Sequence, residues 1–345
     1  MKPLEEIILP IEKELNDWLQ DFEGCETLNE EKPTEGKVTG FDKLTSRKDL
    51  TTERKALDEL MSLIGLEDIK EMVKREISYH RIMSLRRSVG FPVPQRINHL
   101  LLVGNPGCGK TTVARLIGKV YYEEGLIEKN IFIETNRAGL VGQFIGESEA
   151  RTSEIINKAK GGILFIDEIY SLVETGRDES TKDFGKKVID TLIPILSNPD
   201  SSIMVIGAGY PEEMKKFITG NSGLSSRFPT ILEFKDFSED QLMQIAKQRL
   251  EEYHFVMTIP AREKFYKLIR SARIMENCGN ARMVATTIEN FVIPRLCSRF
   301  DRADLDNIDV DSTSIIEEED IPSLNEIVAK MKQKEIHNSL GFIKQ

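Results

Sequence analysis

The sequence has no excess of basic residues and few cysteines, and both shortages weigh against classes of protein. Among 345 residues, 47 Lys and Arg stand against 57 Asp and Glu, so the formal net charge is -10 at pH 7. Proteins that bind nucleic acid ordinarily carry a basic excess, which displaces counterions from the phosphates. The four cysteines, Cys25, Cys108, Cys278 and Cys297, include no C-x-x-C pair and no nearby His at zinc-ligand spacing. These features disfavour a nucleic-acid partner and indicate reduced thiols.

Long apolar runs are also missing. The run His99–Val103 is far shorter than the roughly 20 residues that a bilayer span needs. The first residues, Met1-Lys-Pro-Leu-Glu-Glu, lack the basic and apolar regions of a secretory signal. We therefore expect a cytoplasmic protein that has no membrane partner.

The acidic residues are concentrated at the two ends of the chain. Residues 1–50 hold 7 basic and 13 acidic side chains, and residues 301–345 hold 5 and 11. Apolar residues between 4 and 22 recur at helical spacing, and a polar run follows to residue 40. This helix either packs on its own protein or docks on a partner. We predict an acidic N-terminal helix and linker over 1–50 and a C-terminal tail over 323–345.

The middle of the chain alternates helical segments with short, apolar strands, a pattern typical of a parallel α/β sheet. Continuous apolar runs such as Leu100-Leu-Leu-Val103 are typical of strands that are buried on both faces. The predicted strands are Asn98–Val103, Asn130–Glu134, Gly162–Asp167, Ile203–Ala208 and Thr230–Phe234.

Strand signals stop after Phe237, where helical signals continue. Ser238-x-x-Gln241 predicts a capping box at the start of a helix. The fold class is therefore α/β: a parallel-sheet domain over 51–236, followed by a smaller helical lid domain over 237–322.

The strongest chemical signal is a complete G-x-x-x-x-G-K-[ST] motif at Gly104–Thr111, which lies between a buried strand and the helix predicted over Thr111–Tyr121. This motif predicts that the domain over 51–236 is a P-loop nucleotide-hydrolase domain. Its glycines let consecutive backbone N–H groups face phosphates at the positive end of a helix dipole. Lys110 is expected to contact the β and γ phosphates, and Thr111 to offer its hydroxyl to Mg²⁺. Cys108 is interpreted as a small filler. We predict that ATP and Mg²⁺ bind here, at Asn105, Pro106, Gly107, Cys108, Gly109, Lys110, Thr111 and Thr112.

The second signal is Gly162-Ile-Leu-Phe-Ile-Asp167-Glu168, an apolar strand that ends in two adjacent carboxylates. Adjacent residues at a strand end point in different directions, so the two acids can do separate work. Asp167 is placed to hold Mg²⁺ through water, and Glu168 to orient and deprotonate the attacking water. Its position one strand after the glycine-rich loop favours this interpretation over solvated loop acids.

With these motifs the sequence resembles the AAA+ ATPases, and among them the group of red-type rubisco activases and stage V sporulation protein K-like proteins. The resemblance covers about residues 60–300. It also rests on Asp183-Phe-Gly185, which runs into Ile189-Asp-Thr-Leu192, and on Ala208-Gly-Tyr210. The segment Leu63-Ile-Gly-Leu66 is similar to the family's adenine-contacting linker, so the resemblance assigns Ile64 and Gly65 to the nucleotide.

The resemblance assigns two arginines to catalysis. Arg227, in Gly223-Leu-Ser-Ser-Arg-Phe228, is similar to the arginine finger, which reaches the γ-phosphate bound to a neighbouring subunit. An Arg suits this task because its planar, charged fork neutralises charge on phosphoryl oxygens. Arg282, in Gly279-Asn-Ala-Arg282, resembles sensor 2 of the lid domain. The alternative for both is a surface or salt-bridged arginine.

Phe144-Ile145-Gly146 lies where the family's polypeptide threaders place an aromatic, hydrophobic, glycine pore loop. A large apolar pair beside a hinge residue can grip an extended polypeptide without reading its sequence. The resemblance implies a ring in which these loops meet in a central channel. The alternative is an apolar pair that is buried against its own loop.

Two positions depart from the pattern of the family. Many AAA+ proteins have Asn as sensor 1 at the end of the fourth strand, where this chain has Tyr210, as its closer group does. The closer group tends to have an acid where this chain has Lys187.

Together these features predict a Mg²⁺-dependent ATPase that forms a homo-oligomer, a hexamer, and remodels a protein client through its pore loop. One alternative is a nucleotide-switched nucleic-acid motor or loader; the nearly neutral middle of the chain, with 35 basic and 33 acidic residues, counts against it. The other is an ATP-regulated assembly scaffold whose acidic ends recruit partners.

Overall fold

The structure is a computed structural model that describes residues 55–142, 144, 146–173, 179–220, 222–273, 279–300 and 310–329. The chain divides into two units, Met1–Glu53 and Arg54–Gln345. The described residues all belong to the second unit. The helix predicted near the N-terminus and Ile145 of the predicted pore loop lie outside the described residues.

A five-stranded parallel sheet forms the centre of the second unit, as predicted. Its spatial order is β2-β3-β4-β1-β5, and Leu100 of β1 lies opposite Ile206 of β4 and Thr230 of β5. Because all strands are parallel, their carboxyl ends meet at one edge of the sheet. The strands are β1 (Leu100–Gly104), β2 (Phe132–Thr135), β3 (Ile163–Ile166), β4 (Met204–Gly209) and β5 (Thr230–Phe234).

Helices cover both faces of the sheet and then form the lid. The helices of the α/β domain are α1 (Lys55–Ser62), α2 (Glu67–Ser88), α3 (Lys110–Glu123), α4 (Arg137–Leu140), α5 (Glu147–Ala159), α6 (Glu179–Leu196), α7 (Pro211–Gly220) and α8 (Ser222–Ser225). Those of the lid are α9 (Glu239–Glu251), α10 (Ile259–Arg273), α11 (Asn280–Thr287) and α12 (Ile293–Arg299), and a π-helical turn (Ile288–Val292) joins the last two.

Each face of the sheet has its own apolar core, because successive strand residues point to opposite sides. Leu100 and Leu102 pack with residues of α1, α2 and α3 on one face. Leu101 packs on the other face with residues of α5, α6 and α7. Burial on both sides explains why the strand sequences are continuously apolar.

The lid has a third core, built around Leu242, Phe265 and Val284. It also contains two short parallel strands, β6 (Val256–Met257) and β7 (Ile315–Ile316). The expectation that strands end at Phe237 was therefore wrong, because two-residue strands are too short to show a periodicity. No helix within the described ranges is both long and apolar enough to span a bilayer.

Candidate functional site

The glycine-rich loop follows β1 at the carboxyl edge of the sheet and ends at the first turn of α3. Gly109 has φ +92° and precedes Lys110, the first residue of α3. Lys110 is 9% exposed, and its ammonium donates to the carbonyl oxygens of Gly104 at 2.6 Å and Asn105 at 2.9 Å. The loop thus holds its own lysine in place. Burial raises the pKa of Cys108, which keeps this residue a packed thiol, as the sequence indicated.

The two acids at the end of β3 differ in exposure and in backbone conformation. Asp167 is half-buried, its N–H donates to the carbonyl of Thr135 at 2.8 Å, and its Oδ1 accepts from the N–H of Glu168 at 3.0 Å. Glu168 is exposed and has φ 50° and ψ 45°. A left-handed conformation at a residue other than glycine costs about 1 kcal/mol or more. This backbone conformation turns the chain at Glu168 away from the direction of β3.

Tyr210, directly after β4, lies beside the lysine and near the two acids. Its ring centroid lies 5.1 Å from the Nζ atom of Lys110. Burial and the negative charges of Glu168 and Asp167 raise the pKa of Tyr210, whereas Arg282 acts in the opposite direction. The Tyr210 hydroxyl therefore stays neutral near Glu168. The sequence located Tyr210 at a strand end but did not predict these contacts.

The lid covers the glycine-rich loop with the first turn of α11. The N–H of Ala281 donates to the carbonyl of Gly107 at 3.1 Å. A Cβ atom on Gly107, which has φ +73°, would lie 2.0 Å from the carbonyl oxygen of Gly279. Only glycine allows this approach. Arg282, one residue further along α11, is exposed, and its guanidinium has no hydrogen bond or ion pair within the described residues.

These elements enclose a cleft of about 460 Å³ between the α/β domain and the lid. The residues that line it are Pro106, Gly107, Gly109, Lys110, Thr111, Thr112, Asp167 and Tyr210 from the α/β domain, and Ile245, Arg249, Ala281, Arg282, Val284 and Ala285 from the lid. A larger groove of about 980 Å³ lies on the lid between α9 and α10, and none of the predicted site residues lines it. The chemistry therefore points to the smaller cleft.

Five lid residues of the cleft were missed by the sequence interpretation: Ala281, Val284 and Ala285 of α11, and Ile245 and Arg249 of α9. Arg249 is half-buried and makes ion pairs with Glu252 at 3.0 Å and Glu289 at 2.7 Å. Nothing in the helical pattern of α9 distinguishes these positions from others on the same helix. Their contact with the cleft depends on how the lid packs against the α/β domain.

The remaining predicted residues lie outside the lining of the cleft. Gly65, next to Ile64, approaches the lid at α9: a Cβ atom on it would lie 2.7 Å from Nε2 of Gln241. Arg227 follows α8, and its Nε donates to the hydroxyl of Ser197 at 2.6 Å. Another of its guanidinium nitrogens donates to the carbonyl of Gly223.

The described residues of the predicted pore loop are exposed. Phe144 is 73% exposed, its N–H donates to Glu147 at 3.1 Å, and Gly146 has φ +85° at the start of α5. The alternative of an aromatic buried against its own loop therefore does not apply to Phe144. Lys187, where the sequence departs from its closer group, pairs with Glu149 of α5 at 3.5 Å.

Two oxygen donors in the cleft fit a magnesium ion. The Thr111 hydroxyl and the Asp167 carboxylate both line it. No cluster of three or more His, Cys, Asp or Glu that could hold a metal occurs among the described residues. A pair of oxygen ligands suits Mg²⁺, which keeps several waters and takes further oxygens from phosphates.

Comparisons with known families match both parts of this architecture. Residues 100–236 match the family described as "ATPase family associated with various cellular activities (AAA)", and residues 238–332 match the AAA lid domain. The crystal structure of the FIGL-1 AAA domain superposes with a TM-score of 0.53 at 20% identity and covers 80% of this chain and 89% of that domain. That likeness concerns the fold alone.

Several curated proteins are similar in sequence. Stage V sporulation protein K of Bacillus subtilis is 39% identical over 237 residues, which are 68% of this chain and 72% of that protein. The chloroplastic ribulose bisphosphate carboxylase/oxygenase activase of Cyanidioschyzon merolae is 33% identical over 69% of this chain and 81% of that protein. The ESX-3 secretion system protein EccA3 of Mycolicibacterium smegmatis is 38% identical, but the match spans only 40% of that longer protein.

Proposed function

Because the chain belongs to the AAA ATPase family and is therefore an ATP-hydrolysing enzyme, we propose that it hydrolyses Mg²⁺-bound ATP in the cleft beneath its lid. We further propose that it works as a ring of identical subunits and remodels a protein client. The observation that carries the proposal is the cleft, which brings Lys110, Asp167, Tyr210 and Arg282 to one space of about 460 Å³.

In this proposal the α/β domain supplies the chemistry. Backbone N–H groups of the loop and the Lys110 ammonium bind the β and γ phosphates. Glu168 takes a proton from a water whose oxygen attacks the γ-phosphorus, and the bond to the bridging oxygen of the β-phosphate breaks. Tyr210 is proposed to donate a hydrogen bond to Glu168 and so to orient its carboxylate; the effect of the Glu168 charge on the pKa of the tyrosine supports this role. Thr111 and Asp167 would hold Mg²⁺, which neutralises phosphate charge when bound.

Arg227 is proposed to act on the nucleotide of a neighbouring subunit. It does not line the cleft of its own chain, and its hydrogen bond to Ser197 and its contact with Gly223 hold it at a separate surface. A guanidinium supplied across a subunit contact makes hydrolysis depend on assembly. The proposed contact between subunits implies a ring, with a hexamer as the expected size.

Phe144 is proposed to contact the client. An exposed aromatic side chain next to the hinge at Gly146 suits a mobile grip on extended polypeptide. The name of the Cyanidioschyzon merolae relative, an activase of ribulose bisphosphate carboxylase/oxygenase, describes an action on another protein. Both observations favour a protein client over a nucleic acid.

The test is the rate of ATP hydrolysis per subunit against protein concentration, with mass photometry on the same samples. The wild-type rate should rise as rings appear. Arg227→Ala should form rings and lose most of its activity. Arg75→Ala, a change of an exposed arginine on α2, is the matched control and should behave as wild type. A rate independent of concentration and of Arg227 contradicts the shared active site.

The same assay tests the client contact when an unfolded, reduced and alkylated polypeptide is added as the probe. The wild-type rate should change when the probe is present, and Phe144→Ala should keep its basal rate but lose this response. Phe91→Ala, at another exposed aromatic on the α/β domain, is the control and should respond as wild type. An equal response of Phe144→Ala and wild type contradicts the role of the loop.

A further inference from the structure

Asp236 lies at the junction of the two domains and accepts hydrogen bonds from both. It follows β5 by two residues and precedes Phe237, where the lid begins. Its carboxylate accepts from Nδ2 of Asn105 at 3.1 Å and 3.0 Å and from Nδ2 of Asn280 at 2.7 Å. Asn105 belongs to the glycine-rich loop, and Asn280 begins α11. One carboxylate thus joins the loop to the lid.

Both the nitrogen and the oxygen of the Asn280 side-chain amide are hydrogen-bonded. Nδ2 donates to Asp236 and, at 3.3 Å, to the carbonyl of Pro106, and Oδ1 accepts from the N–H of Phe237 at 3.1 Å. The opposite amide orientation would set its oxygen against a carboxylate and a carbonyl, so the network fixes the orientation. Asn280 is 2% exposed and has φ +47°, a conformation that Asn tolerates better than most residues. A residue that only begins a helix does not need three side-chain hydrogen bonds and a buried position.

The lid binds two peptide groups of the loop through their carbonyl oxygens and leaves their N–H groups free for other contacts. The carbonyls of Pro106 and Gly107 accept from Asn280 and from the N–H of Ala281. In a planar trans peptide the C=O and the following N–H point in opposite directions. Each carbonyl held by the lid therefore belongs to the same rigid unit as an N–H of the loop, that of Gly107 or of Cys108. A rotation of either peptide moves both contacts together.

We propose that Asn105, Asp236 and Asn280 form a latch that makes the position of Arg282 depend on the conformation of the glycine-rich loop. The inference rests on the proposed nucleotide site. Phosphate binding orders the N–H side of the loop peptides, and the latch transmits their orientation to the first turn of α11. Arg282, two residues after Asn280, is then held toward the γ-phosphate. Asn280 is a positioning residue that acts through Arg282.

The test compares dissociation constants for ADP and for a non-hydrolysable ATP analogue, measured by titration calorimetry on the full chain. Asn280→Ala should lower the preference for the ATP analogue about tenfold, because only that ligand has a γ-phosphate for Arg282. ADP affinity should change much less. Asp236→Ala, at an exposed position, removes both acceptor oxygens and should reproduce the loss without a buried cavity. Asn157→Ala, at an exposed asparagine of α5, is the matched control and should match wild type.

A double variant separates positioning from a structural role. If Asn280 acts through Arg282, Asn280→Ala combined with Arg282→Ala should show no greater loss of preference than Arg282→Ala alone. Additive losses, or equal weakening of both nucleotides together with a lower melting temperature, would overturn the latch. An unchanged preference in both Asn280→Ala and Asp236→Ala overturns the latch alone. A wild-type chain that binds neither nucleotide overturns the proposed function, and the latch with it.

Discussion

At the residue scale, Tyr210 and Glu168 form a pair that neither strand could form alone. Glu168 follows β3 in a left-handed conformation, and Tyr210 follows β4 close enough for the charge of Glu168 to raise the pKa of the tyrosine. The ring of Tyr210 also lies 5.1 Å from Nζ of Lys110. The contact of Lys110 with the ring can be separated from the proposed hydrogen bond of the hydroxyl to Glu168. A phenylalanine at position 210 keeps the ring and removes the hydroxyl.

Tyr210→Phe should therefore reduce kcat about tenfold and leave the KM for ATP nearly unchanged, because a hydrogen bond to a charged group is worth about 1.5 kcal/mol or more. Steady-state hydrolysis with saturating Mg²⁺ measures both constants. Tyr253→Phe, on an exposed lid tyrosine, is the control and should leave both constants unchanged. A raised KM at constant kcat would assign Tyr210 to nucleotide binding instead.

His99 is a second residue with a measurable effect, here on stability. It is 3% exposed, and its Nδ1 accepts from the N–H of Val205 at 3.0 Å. Burial lowers the pKa of His99 from 6.5 to about 4, although the backbone of Ile195 opposes the shift. Between pH 6.5 and about 4, His99 binds a proton in the unfolded chain but stays neutral in the folded chain. The free energy of unfolding should therefore fall as the pH drops from 6.5 toward about 4.

Denaturant unfolding of wild type and His99→Asn at several pH values isolates this group from the other titrating residues. The asparagine keeps an acceptor for Val205 but does not titrate. The stability advantage of wild type should shrink by about 2 kcal/mol between pH 7 and pH 5. An advantage that stays constant over that range would show that His99 does not titrate as proposed.

At the scale of elements, the start of α9 shows how local sequence sets the boundary of the lid. The Ser238 hydroxyl accepts from the N–H of Gln241 at 3.2 Å, and Gln241 Oε1 accepts from the N–H of Ser238 at 2.8 Å. The predicted capping box is therefore confirmed. It satisfies two N–H groups that the helix cannot pair internally.

Ser238→Ala should reduce stability by about 1 kcal/mol, because one helix N–H loses its acceptor. The melting temperature should fall by about 2 to 4 °C for a domain of this size. Differential scanning calorimetry measures the shift. Ser153→Ala, at an exposed serine within α5, should leave the melting temperature almost unchanged. Equal shifts in the two variants would mean that the box contributes nothing.

At the scale of the whole molecule, the cleft is the place where the α/β domain and the lid depend on each other. Each domain has its own core, and both contribute residues to the lining of the cleft. A ligand that contacts both therefore stabilises their association as well as each domain. At 100 times its dissociation constant such a ligand adds about 2.7 kcal/mol.

Hydrogen exchange read by mass spectrometry should detect this effect. A non-hydrolysable ATP analogue should increase amide protection in the first turn of α3 and in α9 and α11 of the lid. Lys110→Ala should show neither change, since it lacks the phosphate contact. Protection that is confined to α3, with the lid unaffected, would contradict a site shared by the two domains.

Several parts of this protein could be predicted from its sequence, because their signals are local. The five strands, the glycine-rich loop, the acidic end of β3 and the Ser238 cap each depend on neighbouring residues, through apolar runs, glycine conformations and hydrogen bonds to the nearest turn. The strand order and the pairing of β6 with β7 left no such signal, because each joins segments that are distant along the chain.

The completed site, by contrast, depends on how elements that are distant along the chain pack together. Tyr210 reaches Glu168 because β4 lies beside β3. Asn280 reaches Pro106, 174 residues away along the chain, because the lid packs on the glycine-rich loop. Arg249 enters the cleft for the same reason. Contacts of this kind arise from the packing of whole elements, and local residue patterns do not encode them.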